Sequence, residues 1–367
     1  MQRVLNIVPY SFLPGFSGGQ KLIALFSEYL GNRCQLHVAG TVTNDVTLAY
    51  NYTFHPVFSG SKLRYINPLN YARLKNIIQQ HKIDTIILQH PYMGLLGWWL
   101  KKQLGVRLIV HTHNVEYQRF RTIGKWWWPL LKQFERWVLQ QADLIFCISE
   151  EDKTSMVKNL GVTAAKCMLV PYGITQKHMP ANKAVCKEEV CRQLQLDVTV
   201  PMLFFNGLLD YQPNMEALDK ILNHILPLLK QRSFHYNMVV AGKRLPAIYN
   251  ELKPWANLNV TYAGFVEDID LYTTAADVLL NPVNTGGGVK TKMIEALGLN
   301  TTVVATQTGA TGVLPDVCGH KLFVTGDDDW EAFATAIQKS VSERSDIPAA
   351  FYETYHWEHI VEKVARL

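Results

Sequence analysis

The densest concentration of chemistry in the 367-residue chain lies between Asn281 and Gly298, NPVNTGGGVKTKMIEALG. An apolar run ends at Asn281, three glycines follow (Gly286, Gly287 and Gly288), and a helical segment carrying Lys290, Lys292 and Glu295 begins. Glycines let a ligand approach the backbone closely. Amides at a helix N-terminus beside two cations make an anion site suited to a diphosphate. Glu295, about one turn into the helix, can accept hydrogen bonds from a pair of sugar or ribose hydroxyls. The competing reading is a glycine-rich connection with solvated lysines, but three successive glycines together with the lysines that follow them are costly for mere connection.

Other clusters are weaker. His111-Thr112-His113 puts two imidazoles on one side of an extended run, a spacing that can bind zinc, yet no third ligand accompanies it. A histidine ending a parallel strand is better placed to line a crevice, because open α/β sheets bind ligands beyond the carboxyl ends of their strands. A packed core histidine is the alternative for each. Asp268-Ile269-Asp270 has the DxD form of metal and nucleotide-sugar sites, and Asp327 to Asp329 is a second acidic run; both stand where helices start and read as caps. Phe16-Ser17-Gly18-Gly19-Gln20 looks like a transporter-ATPase signature, but the GxxxxGK[ST] phosphate loop that such an ATPase requires is absent from the sequence.

The elements behind these residues alternate. Val4–Pro9, Gln35–Ala39, Ile83–Leu88, Arg107–His111, Leu144–Ile148 and Cys167–Val170 read as strands, with helices such as Gly19–Leu30, Pro129–Gln141 and Glu150–Asn159 between them. A polar stretch near 174–199 reads as a linker. The alternation then restarts with strands Met202–Asn206, Asn237–Ala241, Leu258–Tyr262, Val278–Asn281, Thr302–Ala305 and Leu322–Val324. Strand–helix alternation implies parallel sheets covered on both faces. The expected architecture is therefore α/β with two Rossmann-like domains, 1–175 and 200–350, and a terminal segment, 351–367.

The chain is 48% hydrophobic and 18% charged, which excludes a disordered or fibrous protein. No apolar run approaches the roughly 20 residues of a membrane span. The opening residues read as a strand rather than a secretory leader, which predicts a cytoplasmic protein, and the six scattered cysteines read as reduced thiols. The net charge of +5 conceals an asymmetry. Residues 1–175 hold 19 Lys and Arg against 9 Asp and Glu, while 176–367 hold 17 against 22. The basic half should face something anionic. Within it Trp98, Trp99, Lys101, Lys102, Lys125, Trp126, Trp127 and Trp128 combine interfacial aromatics with cations, the composition of a peripheral surface for anionic membrane; the other reading is core plus ordinary surface.

Taken in order along the chain, the motifs resemble those of the retaining, two-domain GT-B glycosyltransferases of family 4, the glycosyl transferases group 1. They are Gly18-Gly19 after the first strand, His113-Asn114-Val115-Glu116, Ala142-Asp143 leading into Leu144–Ser149, and Val170-Pro171-Tyr172-Gly173. In the second half come Asn206-Gly207 with Pro213-Asn214, Ala241-Gly242-Lys243, Gly264-Phe265-Val266-Glu267, Gly286 to Glu295, and Tyr355-His356-Trp357-Glu358. The resemblance covers nearly the whole chain and implies a cleft between two domains, with a C-terminal helix crossing back to the N-terminal domain.

It further implies a nucleotide-sugar donor, such as a UDP- or GDP-sugar, held mainly by the second domain. Phe265 and Val266 would flank the base, and Glu295 would hold the ribose. Gly286, Gly287, Gly288, Val289, Thr291 and Lys290 or Lys292 would face the diphosphate, with Asn206, Gly207, Lys243 and Arg244 completing the donor site. Gly18 and Gly19 would close on the donor, and His113, with His111 as the alternative, would sit near the transferred sugar. No metal cofactor is expected. The acceptor would be a glycan or lipid-linked glycan bound by the basic half, and no nucleic acid is expected. The sequence departs from the family pattern in two places: the first of the usual two glutamates is replaced by Gly287, and Leu208–Asn214 lacks the customary Arg and Lys. A nucleotide-sugar 2-epimerase of the same architecture, or a basic nucleic-acid-binding protein, is the alternative function.

Overall fold

The computed structural model describes residues 2–366. The chain divides into two compact units, Met1–Gly173 with Gly287–Val289 and Tyr355–Leu367, and Ile174–Gly286 with Lys290–Thr354. The first is built on a seven-stranded sheet: β1 (Arg3–Ile7), β2 (Gln35–Thr41), β3 (Thr53–Phe58), β4 (Thr85–Gln89), β5 (Arg107–Thr112), β6 (Leu144–Cys147) and β7 (Cys167–Leu169). Its order is β3-β2-β1-β4-β5-β6-β7, and every pairing is parallel. Helices cover both faces, so the central strands are buried along their whole length, as in β4, and read as unbroken apolar runs rather than alternating ones.

β3 is the strand that the periodicity does not reveal. It contains Pro56 and occupies the sheet edge, the position where a missing backbone donor is tolerated. The helix Gly18–Gly31 buries Leu22, Ile23, Phe26 and Leu30, and a capping box between Ser17 and Gln20 starts it. Gly18 and Gly19 therefore open a helix rather than forming a loop, and the ATPase-like FSGGQ string is a helix cap. The terminal helix Trp357–Ala365 packs against Gly18–Gly31. Its fully buried Trp357 lies 6.4 Å from Phe26 and 6.2 Å from Tyr172, ring to ring. A Cβ on Gly173 would stand 2.6 Å from the same indole, so position 173 has no room for a side chain.

The second unit holds β8 (Met202–Leu208), β9 (Asn237–Lys243), β10 (Val260–Gly264), β11 (Val278–Asn281), β12 (Thr302–Thr306) and β13 (Leu322–Thr325), all parallel in the order β10-β9-β8-β11-β12-β13. The 174–199 stretch is not simply a linker. It carries the helix Lys183–Leu194, whose Cys186, Val190 and Cys191 are buried, and Lys183 Nζ donates to the carbonyls of Thr274 (2.8 Å) and Ala276 (2.5 Å). Lys187 adds an ion pair with Asp277 at 2.7 Å. The polar surface of that helix hid its short buried stripe from a reading based on apolar content. Both acidic runs are caps: Asp268 accepts from the amide of Leu271, and Asp329 from that of Ala332. All six cysteines are unbridged.

Candidate functional site

In the first sheet, the chain builds outward from β1 to β2 on one side and resumes at β4 on the other. The β1–β4 boundary is thus the switch point where open α/β sheets leave a crevice beyond their strand ends. A buried chain of polar groups runs there. Asn6 Nδ2 donates to Ser27 Oγ (3.0 Å), Gln89 Nε2 donates to Asn6 Oδ1 (2.9 Å), and Gln89 Oε1 lies 2.7 Å from His113 Nε2. The Gln89 oxygen can only accept, so this chain assigns the proton to His113 Nε2 and leaves Nδ1 as a lone pair. That Nδ1 is buried and has no hydrogen-bond partner. Burial, with His90 and His111 nearby, holds the His113 pKa well below its ordinary value, making the ring a neutral acceptor at pH 7.

Beside it stands a second group. His90, held at φ +67, lies 4.1 Å from His113 ring to ring and places Nδ1 3.0 Å from Oε1 of the fully buried Glu116. That contact is close but poorly aligned for a hydrogen bond. Glu116 Oε2 accepts from the Tyr92 hydroxyl at 2.5 Å and from Arg119 at 3.3 Å. Burial pulls the Glu116 pKa up, but His90, Tyr92 and Arg119 together outweigh it, so the group stays a carboxylate. Glu135, also fully buried, accepts the amides of Glu116 and Tyr117, each at 2.9 Å. It supplies the acceptors that Val115 cannot offer at the start of the helix Glu116–Thr122. Burial drives the Glu135 pKa up to about 7 despite those two bonds. His111 is different. It is wedged 4.9 Å from Phe26 and 5.7 Å from Phe146, and neither ring nitrogen has a hydrogen-bond partner. Burial lowers its pKa to about 3, and the ring packs in the core between Phe26 and Phe146.

In the second sheet the switch point lies between β8 and β11. Asn206, at the end of β8, has a buried Oδ1 without a hydrogen-bond partner, and its carbonyl accepts from Lys292 Nζ at 3.2 Å. A Cβ on Gly207 would meet the Asn214 side-chain amide at 2.6 Å, and that amide donates to the Leu208 carbonyl, so Pro213-Asn214 fastens the loop after β8. After β11, Gly286 at φ +83 and Gly288 at φ +80 occupy conformations that favour glycine. Lys290 lies at the N-cap of the helix Thr291–Gly298, one position before the helix proper, and donates to the Gly286 carbonyl at 3.1 Å. Lys292 Nζ stands 4.3 Å over the Phe205 ring. Burial, then the Lys290 charge, lower the Lys292 pKa to about 7.

Val289, Thr291 and Glu295 are half-buried on the same loop and helix, and Gly287 is exposed. On the β9–β10 side, Lys243 Nζ lies 3.7 Å over Phe265, an exposed ring, with Val266 half-buried next to it. Arg244, at φ +64, is engaged with Asp210 at 2.9 Å rather than with the glycine loop. The structure thus gathers Asn206, Gly286, Lys290 and Lys292 at one switch point and sets Lys243, Arg244 and Phe265 on the neighbouring strand ends. Gly18 and Gly19 belong to the first unit, and a Cβ on Gly19 would meet nothing. Asn6, Gln89, His90 and Tyr92 were not singled out from the sequence. Asn6 and Gln89 were detectable as polar residues inside apolar strands, whereas nothing local marks His90 or Tyr92.

The basic and aromatic residues separate into two sets. Trp98 packs edge-on against Trp137, Trp127 against Phe120 and Trp128 toward Tyr117, while Lys101 is bound to Asp143 at 2.6 Å. Those four are structural, which corrects the wider patch expected from composition. Trp126 is 82% exposed and Trp99 45% exposed, the latter stacked on Tyr71. Leu95, Ile123, Leu130, Lys102 and Lys125 are likewise exposed, so these are the apolar and cationic side chains that remain at the surface. Among the described residues no helix is long and apolar enough to cross a membrane.

The glycosyltransferase family 4 model matches residues 16–177, and the model for glycosyl transferases group 1 matches residues 200–343. An O-antigen biosynthesis glycosyltransferase of Escherichia coli, WbnH, is 21% identical over 248 residues, 66% of this chain and 64% of that protein. The match therefore spans less than two thirds of that relative's length. Sucrose-phosphate synthase from Thermosynechococcus elongatus superposes with a TM-score of 0.74 at 16% identity, covering 100% of this chain and 98% of its own. The Anabaena protein HepE, solved in complex with UDP, superposes at 0.70 with 14% identity, covering 100% and 99%. Two parallel sheets with their polar clusters at the switch points, matched by models for both halves, place this chain in the family 4, group 1 glycosyltransferases with the GT-B fold.

Proposed function

We propose that the chain is a retaining glycosyltransferase that moves a sugar from a nucleotide-sugar donor to a hydroxyl of a glycan or lipid-linked glycan, in the synthesis of cell-surface polysaccharide or glycoconjugate. The observation that carries this reading is the β8–β11 switch point, where two lysines and a left-handed glycine loop surround the end of a parallel sheet. Amides and ammonium groups there hold the donor's diphosphate, and Glu295 holds the ribose hydroxyls. The UDP in the HepE structure and the O-antigen role in the name of WbnH support the donor class and the acceptor class.

The chemistry asks for positioning and charge stabilisation rather than a strong base. The acceptor oxygen attacks the anomeric carbon on the face from which the diphosphate leaves. The carbon–phosphate-oxygen bond breaks, the new glycosidic bond forms, and the acceptor's proton passes to the departing diphosphate. Lysine charge and loop amides offset the negative charge that builds on that group without a metal. His113, a neutral ring with an unpartnered Nδ1, accepts a hydrogen bond from a hydroxyl of the transferred sugar. Glu116 and Glu135 act through position, fixing the segment that carries His113.

Transfer takes place in the cytoplasm, with the Trp99, Lys102, Lys125 and Trp126 surface resting on the anionic inner face of the membrane. Titrating the chain with UDP and GDP by calorimetry tests the donor site. One equivalent should bind, and binding should weaken in Glu295→Ala; no binding of either nucleotide, or unchanged affinity in the variant, removes the assignment.

A further inference from the structure

Three histidines that the site does not use converge elsewhere in the first unit. His37 sits on β2, His55 on the edge strand β3, and His81 caps the C-terminus of the helix Leu69–Gln80. One ring nitrogen from each lies within 4.8 Å of the others, and no other trio of metal-ligating side chains so placed occurs among the described residues. His37 Nδ1 is 2.9 Å from His55 Nε2, and the His37 and His81 rings are 4.2 Å apart. His37 is 3% exposed, and its second nitrogen, Nε2, is buried with no hydrogen-bond partner. Leaving a buried ring nitrogen unsatisfied is unfavourable, so bringing three imidazoles together with such an atom among them calls for a reason.

A cation supplies one. Zinc bound to imidazole nitrogens at about 2.0–2.1 Å in tetrahedral geometry sets those nitrogens about 3.4 Å apart, inside the 4.8 Å within which one nitrogen of each ring lies here. Small side-chain rotations would close the set. His55 and His81 are half-buried, which leaves a route from solvent and a fourth position for water.

We propose that His37, His55 and His81 form a site for a divalent transition-metal ion, zinc by its ligand chemistry, that ties the β2–β3 edge of the sheet to the end of the helix Leu69–Gln80. His81 precedes β4, so the site lies toward the amino ends of the strands, away from the crevice that holds His113. The metal is structural and takes no part in sugar transfer, so this site stands whether or not the donor assignment does.

The test uses the full chain stripped by chelator and titrated with Zn2+ against a chromophoric competitor, and with Co2+ followed by its visible absorption. One equivalent of Zn2+ should bind, raising the thermal midpoint, and Co2+ should give the intense bands of a four-coordinate site. His81→Ala removes a ligand at a half-exposed helix end and should lower zinc affinity at least tenfold. Circular dichroism checks that it folds; His81→Gln, which keeps the volume, serves if it does not. Saturable binding in the wild type that is lost in the variant supports the site. No binding, a six-coordinate Co2+ spectrum, or equal affinity after His81 is replaced overturns it.

Discussion

Lys292 is a cation of the β8–β11 switch point whose charge is insecure before a ligand arrives. In the free protein its pKa is about 7, against 10.5 for an ordinary lysine. At about 1.4 kcal/mol per pH unit, that gap disfavours the ammonium by about 5 kcal/mol. A diphosphate that needs the charged form must restore the proton as it binds. Above pH 7 the affinity for UDP or GDP should therefore fall, approaching tenfold per unit. Between pH 7 and pH 9 the loss should reach about 50-fold, as an upper bound for one lysine charged in the complex. The nucleotide's own phosphate, with a second pKa near 6, is already ionised over this range. Calorimetry in buffers of different ionisation enthalpy reads the effect directly, as uptake of close to one proton at pH 8 or above. Lys292→Met should flatten both the pH dependence and the proton uptake while preserving the packing on Phe205. Affinity that stays constant from pH 7 to pH 9, or a variant with the same proton uptake as the wild type, would refute the placement of Lys292 on the diphosphate.

Other outcomes follow from single contacts. His113→Ala, which removes the neutral acceptor at the β5 end, should lower kcat/KM at least tenfold in a transfer assay while leaving UDP binding unchanged; a parallel loss of UDP binding would place its role elsewhere. Glu135→Gln exchanges one of two acceptors for a donor and should destabilise the chain by about 1–3 kcal/mol in chemical denaturation, an effect that an exposed glutamate would not show. The sign of its pH dependence is set by a folded pKa of about 7 against 4.5 unfolded. The native state binds the extra proton, so the contribution of Glu135 is fully present below pH 4.5 and is lost as pH rises through 7; the thermal midpoint of Glu135→Gln should lack that slope. Trp126→Asp and Lys125→Glu should each reduce pelleting with anionic vesicles at low salt without changing the thermal midpoint, and equal pelleting of wild type and variants would discard the membrane surface.

Much of the fold was legible because parallel strands buried on both faces announce themselves as apolar runs. β11 begins and ends where the periodicity places it, and β5 differs by a single residue at its end. β3 was not legible because its edge position permits a proline and half-exposed residues, which remove the apolar signal. The helix Lys183–Leu194 was missed for a related reason: its lysines reach across to carbonyls and to Asp277, and only a narrow stripe of it is buried. At the site, the glycine loop with Lys290 and Lys292 could be found from local sequence because the elements of an anion site are contiguous. The His90, Tyr92 and Glu116 group could not, since it is assembled from the ends of β4 and β5 by the strand order. The same holds for His37, His55 and His81, which are 18 and 26 residues apart in the chain and share no motif.

The most direct measurement is a product analysis with a panel of UDP- and GDP-sugars, run with and without a lipid extract bearing glycan acceptors. The readouts are nucleoside diphosphate release and the anomeric configuration of any new glycoside by NMR. The expected result is release of one nucleoside diphosphate per sugar transferred, dependent on acceptor, with the donor's configuration kept in the product. Conversion of the donor to an epimer in the absence of acceptor, or a product of inverted configuration, would contradict retaining glycosyl transfer.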